Sequence, residues 1–296
     1  MTLGYREDLD TPALVVHEEI LQHNLHRMAD YAAAKEIALR PHFKTHKTAA
    51  VAVMQKSLGA GGITCAKLGE AEALADAGVY DDFFVANQIV GPLKLKRLVA
   101  LMDRAKVRVA VDTADVAAGL NAAMADAGKT LDVIIELNTG QDRAGIRPGD
   151  EALTLAEVIR AGMPHLRVIG LMTHEGQVNN TAGIEGMTET ALAAGHAIID
   201  TAELLREHGF DISVVSVGST PAAFTTTTLE GVSEMRPGTY VFNDRNYLRF
   251  GLSPDDCALR ILATVTSRPA PDRAIVDAGS KTLTSDMAMG IPGHGL

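Results

Sequence analysis

Short β-branched runs alternate with amphipathic helical runs through most of this chain, and that alternation constrains the fold more than any other feature. Strand candidates fall at 13–16, 37–43, 63–67, 83–87, 107–112, 131–137, 167–174, 212–218 and 235–242. Helical patterns lie between most of them. In 18–34, Ile20, Leu21, Leu25 and Met28 recur at helical spacing. Segment 93–102 follows Pro92, a good first-turn residue. Segment 114–127 follows Thr113, a candidate N-cap, and stops at Gly128; 70–77, 151–161 and 183–208 stop at Gly78, Gly162 and Gly209. Strands that alternate with helices run parallel, and their number points to a (β/α)8 TIM barrel. Nine candidates are one too many, so 13–16 is placed outside the barrel, as a possible partner for strands near the C-terminus.

Past residue 254 the grammar changes. Segments 257–266 and 274–277 read as strands joined by a turn-rich stretch, 267–273, with no helix between them. The expected organisation is therefore a barrel over 1–253 and the start of a C-terminal β-domain over 254–296. That second domain reads as incomplete, because about 40 residues are marginal for an independent core. The last residues, Gly293-His294-Gly295-Leu296, are turn-like.

A formal net charge of -10 argues against general nucleic-acid binding, which needs a basic surface. The chain has no apolar run of about 20 residues to span a membrane, and Met1–Asp8 has no apolar signal core. Cys65 and Cys257 are its only cysteines and show no paired metal spacing; a reducing cytoplasm is the simple inference.

In a βα barrel the active residues gather at the C-terminal ends of the strands. Lys44 follows the strand candidate 37–43, between His42 and His46 in Arg40-Pro41-His42-Phe43-Lys44-Thr45-His46-Lys47. It reads as a reactive lysine or as part of a solvated basic turn. Asn87 and Gln88, Asp112, the stretch Asn138-Thr139-Gly140 with Arg143, and His174-Glu175 close other strands. Gly218-Ser219-Thr220 is a donor-rich turn that suits a phosphate, with Gly238 and Thr239 as further donors; the alternative is an ordinary N-cap ahead of Pro221. Arg143 is either a planar donor for a ligand oxygen or a surface partner of Asp142 or Asp150. His174 is a well-placed base or a hydrogen-bonded core histidine. His42 and His46 straddle a strand end without an obvious third ligand, so no metal site is assigned to them.

These residues resemble the D-threonine aldolase and D-serine dehydratase family of alanine racemase-like (fold type III) pyridoxal-phosphate enzymes. The resemblance runs from Leu9-Asp10-Thr11-Pro12-Ala13 through the lysine motif, Thr64–Glu72, Gly140-Gln141-Asp142-Arg143-Ala144-Gly145 and Arg236–Phe242 to Asp277-Ala278-Gly279-Ser280-Lys281. It implies that Lys44 links covalently to pyridoxal 5'-phosphate, that Arg143 approaches the cofactor's ring oxygen, and that Gly218, Ser219, Thr220, Gly238 and Thr239 cradle the phosphate, with Tyr240 beside them. His42 and His46 become neighbours that orient or tune the cofactor, and His174 a second catalytic group. The family also binds a divalent metal, Mn or Zn, through a His-x-Cys or His-x-Asp pair in the β-domain. No such pair is present here, which points to a fragment of a longer protein or to loss of the metal-dependent step. A homodimer is the usual family assembly.

The implied activity is cleavage of a β-hydroxy-D-amino acid, D-threonine or D-3-hydroxyaspartate, to glycine and an aldehyde. The alternative is D-serine dehydratase chemistry giving pyruvate and ammonia. A racemase would need bases on both faces of the cofactor, and Lys44 and His174 are the one candidate pair. A non-catalytic pyridoxal-phosphate carrier would need neither base nor metal. A metal-dependent barrel hydrolase would use His42, His46 and His174 as ligands.

Overall fold

The computed structural model describes residues 9–284. The N-terminal octapeptide and the turn-like Gly293-His294-Gly295-Leu296 lie outside the described residues. The chain divides into a large unit, Leu25–Tyr240, and a smaller one formed by Met1–Asn24 with Val241–Leu296.

The first strand, β1 (Ala13–Val16), belongs to the smaller unit. The larger unit contains β2 (Ala38–Leu39), β3 (Ile63–Cys65), β4 (Asp82–Val85), β5 (Lys106–Val111), β6 (Leu131–Leu137), β7 (Leu166–Thr173), β8 (Val214–Val217) and β9 (Glu234–Met235). Each pairs in parallel, in the order β2-β9-β8-β7-β6-β5-β4-β3. The two ends meet just past β2. A parallel bridge joins His42 to Thr64, Phe43 N–H donates to Thr64 O at 2.8 Å, and Thr64 N–H donates to Pro41 O at 2.8 Å. The sheet is thus a closed eight-stranded barrel.

The helices follow the strands: α1 (Glu18–Ala34) after β1, then α2 (Ala49–Ser57), α3 (Leu68–Asp76), α4 (Pro92–Met102), α5 (Ala114–Ala127), α6 (Asp150–Gly162), α7 (Gly183–Glu207) and the short α8 (Ala223–Thr226). α5 shows how sequence dictates an element. Thr113 Oγ1 accepts from Val116 N–H at 3.3 Å, Ala117, Leu120 and Met124 form the buried stripe, and Gly128 closes the helix at φ +62°. Burying each large apolar side chain of this kind stabilises the fold by roughly 1.5–3 kcal/mol. α7 packs closely through Gly195, whose added Cβ would lie 2.5 Å from Leu229 Cδ1.

Two strands are shorter than their sequence pattern suggests. The run 37–43 forms a regular ladder only over Ala38–Leu39; beyond it the pairing continues as single bonds, Arg40 N–H to Met235 O and His42 N–H to Pro237 O, each at 2.9 Å. The run 235–242 leaves the sheet at Met235, where Pro237 follows, and turns into a 3₁₀ segment at Thr239–Val241.

In the smaller unit, β1 pairs antiparallel with β10 (Leu259–Leu262), matching Ala13 with Leu262 and Val16 with Leu259. A hairpin of β11 (Val265–Ala270) and β12 (Arg273–Val276) follows, with an irregular register. Most of 267–273, read as a turn-rich connection, is therefore strand. Pro269 is tolerated because a two-stranded ribbon has free edges that need no donor. Asp277 ties this unit together: its carboxylate accepts from Thr11 Oγ1 at 2.6 Å and from Thr264 N–H at 2.9 Å.

Candidate active site

The C-terminal rim of the barrel encloses a cavity of ≈ 330 Å³, and strand-end residues from around the ring line it. They include His42 and Lys44 past β2, Gln88 past β4, Glu136 on β6, Arg143 in the loop after it, His174 past β7, and Gly218 and Arg236 past β8 and β9. His42, Lys44, Arg143, His174 and Gly218 are therefore brought together. Ser219, Thr220, Gly238, Thr239 and Tyr240 do not line this cavity. They form an adjoining turn in which Thr220 Oγ1 accepts from Gly238 N–H at 3.2 Å and Tyr240 N–H at 3.3 Å. Tyr240's hydroxyl points elsewhere and accepts from Gln55 Nε2 at 3.0 Å. His46 is buried beyond the cavity, edge-on to Phe43.

The two glycines of this region have no room for a side chain. A Cβ on Gly218 would lie 2.9 Å from Arg236 Cβ, and one on Gly238 would lie 2.7 Å from Thr45 Oγ1. Gly218 is also held at both backbone groups by consecutive residues at the end of β7. Its carbonyl accepts from His174 Nδ1, and its N–H donates to Glu175 Oε2 at 3.0 Å.

Electrostatically the cavity is cationic. Burial, then the charges of Arg143 and Arg236, lower the Lys44 pKa below that of an ordinary lysine. Burial pushes His174 down to about 3, and its hydrogen bond to Gly218 O only partly opposes this. Burial and the Lys44 charge hold His42 well below the usual histidine range. Glu136 supplies the counter-charge: Gln88 Nε2 donates to its Oε2 at 2.7 Å, and Arg143 Nη2 lies 3.9 Å from its Oε1. Burial raises its pKa. The partner of Arg143 is thus Glu136, neither Asp142 nor Asp150; Asp142 instead accepts from Asn138 Nδ2 at 2.9 Å.

Sequence reasoning passed over Glu136, and it placed Arg236 at the last barrel strand without giving it a role. Both carry a signal in hindsight. Glu136 is an acid inside the apolar run Val133-Ile134-Ile135-Glu136-Leu137, and Arg236 immediately follows a buried strand. Arg236 is 4% exposed, donates to Thr173 O at 2.7 Å through Nη2 and to Ser216 Oγ through Nη1, and lines the cavity.

The surroundings fit an anionic, planar cofactor with a reactive carbonyl. An amine with lowered pKa stands in the cavity, two guanidinium groups face it, and a hydroxyl and backbone N–H groups gather at the adjoining glycine turns. Among the described residues, no three His, Cys, Asp or Glu side chains gather as a metal-binding set. No helix of the described residues is long and apolar enough to cross a membrane.

Residues 16–246 match the family described as "Alanine racemase, N-terminal domain", and residues 258–296 match the "Putative serine dehydratase domain". The chain is 36% identical over 282 residues to a D-threonine aldolase of Arthrobacter sp, spanning 94% of this chain and 74% of that protein. It is 35% identical over 281 residues to the D-threo-3-hydroxyaspartate dehydratase of Delftia sp. (strain HT23), spanning 94% of this chain and 73% of that one. The crystal structure of D-threonine aldolase from Filomicrobium marinum superposes with a TM-score of 0.85 at 36% identity, over 94% of this chain and 76% of that one.

Proposed function

The chain belongs to the alanine racemase N-terminal domain family, and from that premise we propose that it is a pyridoxal-phosphate-dependent lyase that cleaves β-hydroxy-D-amino acids to glycine and an aldehyde. D-Threonine and D-3-hydroxyaspartate are the substrates of first choice. One observation carries this reading: Lys44, Arg143, His174 and Arg236 line a single cavity at the C-terminal rim of the barrel. When bound, the cofactor supplies an electron sink for a bond broken at Cα.

The chain's own residues would do the rest. Lys44 would hold the cofactor, and its lowered pKa keeps more of the amine free to exchange with a substrate amine. The Gly218-Ser219-Thr220 and Gly238-Thr239-Tyr240 turns would take the phosphate, and Arg143 a ring oxygen. Gly218 O fixes the proton of His174 on Nδ1, so Nε2 carries the lone pair. That nitrogen would accept the β-hydroxyl proton as the aldehyde carbonyl forms. Its very low pKa makes it a weak base in the cationic cavity; an anionic ligand beside Lys44 and Arg143 would raise it.

The described residues offer no ligand set for the divalent metal that the resemblance implies, and assays belong with and without Mn²⁺ or Zn²⁺. Dehydration of D-serine to pyruvate and ammonia is the second reading, favoured by the C-terminal match to a serine dehydratase domain. We further propose a homodimer in a cytoplasmic setting, supported by the resemblance and by two free, buried cysteines.

Adding pyridoxal phosphate to the folded protein should produce a visible absorption band that Lys44→Ala lacks. Glycine and acetaldehyde should then form from D-threonine, or glycine and glyoxylate from D-3-hydroxyaspartate. A folded wild-type protein that gives no band overturns the cofactor assignment. Pyruvate and ammonia from D-serine, without aldehyde from the other two, replaces the aldolase by the dehydratase.

A further inference from the structure

His42 and His174 line the same cavity, yet the backbone fixes their imidazoles in opposite ways. At His174 the partner of Nδ1 is a carbonyl, Gly218 O, which can only accept. The proton is therefore on Nδ1, and Nε2 is an acceptor. At His42 the partner of Nδ1 is the backbone N–H of Lys44, at 3.4 Å, which can only donate. Nδ1 there must hold the lone pair, and the proton of the neutral ring is on Nε2. Neither Nε2 has a hydrogen-bond partner among the described residues.

We propose that the two rings are a pair of opposite polarity: His174 offers a lone pair to the ligand, and His42 offers an N–H that donates to an anionic ligand oxygen. This deepens the lyase reading given above and rests on it.

The surroundings enforce the neutral state on which the pairing depends. Lys44, Arg143 and Arg236 all disfavour a positive charge on His42, as does its burial. The same three cations and burial act on His174. A second proton would erase the difference between the rings, and the cavity resists one at both. His42 cannot readily give up its only proton, so its part is electrostatic. It stabilises charge that grows on oxygen, as a neutral imidazole does when held as a donor. Lys44 N–H sets this state from the same backbone segment that carries the reactive amine. The position of the lysine and the polarity of His42 are thus fixed together. Gly238 adds to the constraint: its absent Cβ would sit 3.1 Å from His42 Cβ, so the ring's stem is packed against the turn.

The first test needs no cofactor and no turnover. A long-range ¹H–¹⁵N correlation spectrum of the cofactor-free, ¹⁵N-histidine-labelled protein at neutral pH distinguishes the two neutral tautomers, with His42→Gln and His174→Gln providing assignments. His42 should be the Nε2–H form and His174 the Nδ1–H form. Finding His42 as Nδ1–H, or doubly protonated, overturns the proposal.

The second test uses the cofactor-loaded enzyme. Glutamine keeps an N–H donor near the Nε2 position, whereas phenylalanine keeps only the ring. His42→Gln should retain kcat within about tenfold, and His42→Phe should lose about 100-fold. If the oxygen belongs to the cofactor, pyridoxal phosphate also binds more weakly to His42→Phe. If it belongs to the substrate, cofactor affinity stays and kcat/KM falls. Equal damage from both substitutions overturns the donor role. A wild-type enzyme inactive on every β-hydroxy-D-amino acid would sink the lyase reading instead, and the spectrum would still decide the pairing.

Discussion

Lys44 shows how a single residue's chemistry is set by neighbours distant in sequence. Its amine is held below the ordinary lysine pKa by burial and by Arg143 and Arg236. Arg143→Met removes one of those charges and leaves a side chain of similar length, so the Lys44 pKa should rise. The pH dependence of Lys44 acylation in the cofactor-free protein, followed by peptide mass spectrometry, checks this. The midpoint should move to higher pH in the variant, and an unchanged or lower midpoint would show that Arg143 does not bear on the amine. Lys44, Arg143 and His174 were legible in the sequence because each closes a strand candidate or lies in the loop just past one, and strand ends converge in a barrel. Glu136 was not. Its role depends on pointing into the lumen toward Gln88 and Arg143, a direction fixed by the sheet's register and invisible in a run of apolar neighbours.

At the scale of elements, the loop after β6 positions Arg143 through its backbone. Asn138 N–H donates to Ile146 O at 2.8 Å, Ile146 N–H to Glu136 O at 2.9 Å, and Gly145 N–H to Asp112 Oδ2 at 3.2 Å. Gly145 sits at φ +99°, and a Cβ there would lie 2.7 Å from Asn138 N and 2.8 Å from Leu137 C. Both atoms are backbone and cannot swing aside. Gly145→Ala should therefore destabilise the protein by about 2 kcal/mol or more, since φ strain and a backbone clash add. It should also weaken cofactor binding, because Arg143 moves with the loop. Chemical denaturation and a cofactor titration measure the two effects, and a stable variant with unchanged affinity would refute the loop's role. The helices were the most legible elements: α5 begins after Thr113 and ends before Gly128 because caps and apolar spacing act locally. The strands β2 and β9 were legible in place but not in length, since where a ladder gives way to single bonds depends on the partner strand.

Across the whole barrel, charges meet through the lumen. Glu234 on β9 accepts from Arg40 Nε just past β2 at 2.7 Å and from Arg108 Nη2 on β5 at 2.8 Å, and Ser216 Oγ on β8 donates to it at 2.7 Å. β5 and β9 are not neighbours in the sheet, so the Arg108 bond crosses the interior. Arg40 also reaches Asp82 on β4 at 2.7 Å, and Ser216 passes the network on to Arg236 and so to the cavity. None of this was legible in the sequence, because partners up to 194 residues apart meet only once the sheet closes. Burial alone would raise the Glu234 pKa, but Arg40 and Arg108 overcome it and hold it below the ordinary carboxylate value of 4.5. The unfolded chain therefore binds a proton on this group more readily than the folded one. The stabilisation is fully present above pH 4.5 and is lost as the pH falls through the lower folded value. Glu234→Gln leaves two buried arginines short of a counter-charge and should cost about 3–5 kcal/mol at pH 7. That deficit should shrink as the pH drops below 4.5, because the unfolded wild-type chain then takes up a proton on this group that the folded chain binds only at lower pH. Urea unfolding of both proteins at pH 7 and across the acid range measures it. A deficit that stays constant with pH would mean that the lost contact is one of packing, and that the charge of Glu234 does not hold the barrel's interior together.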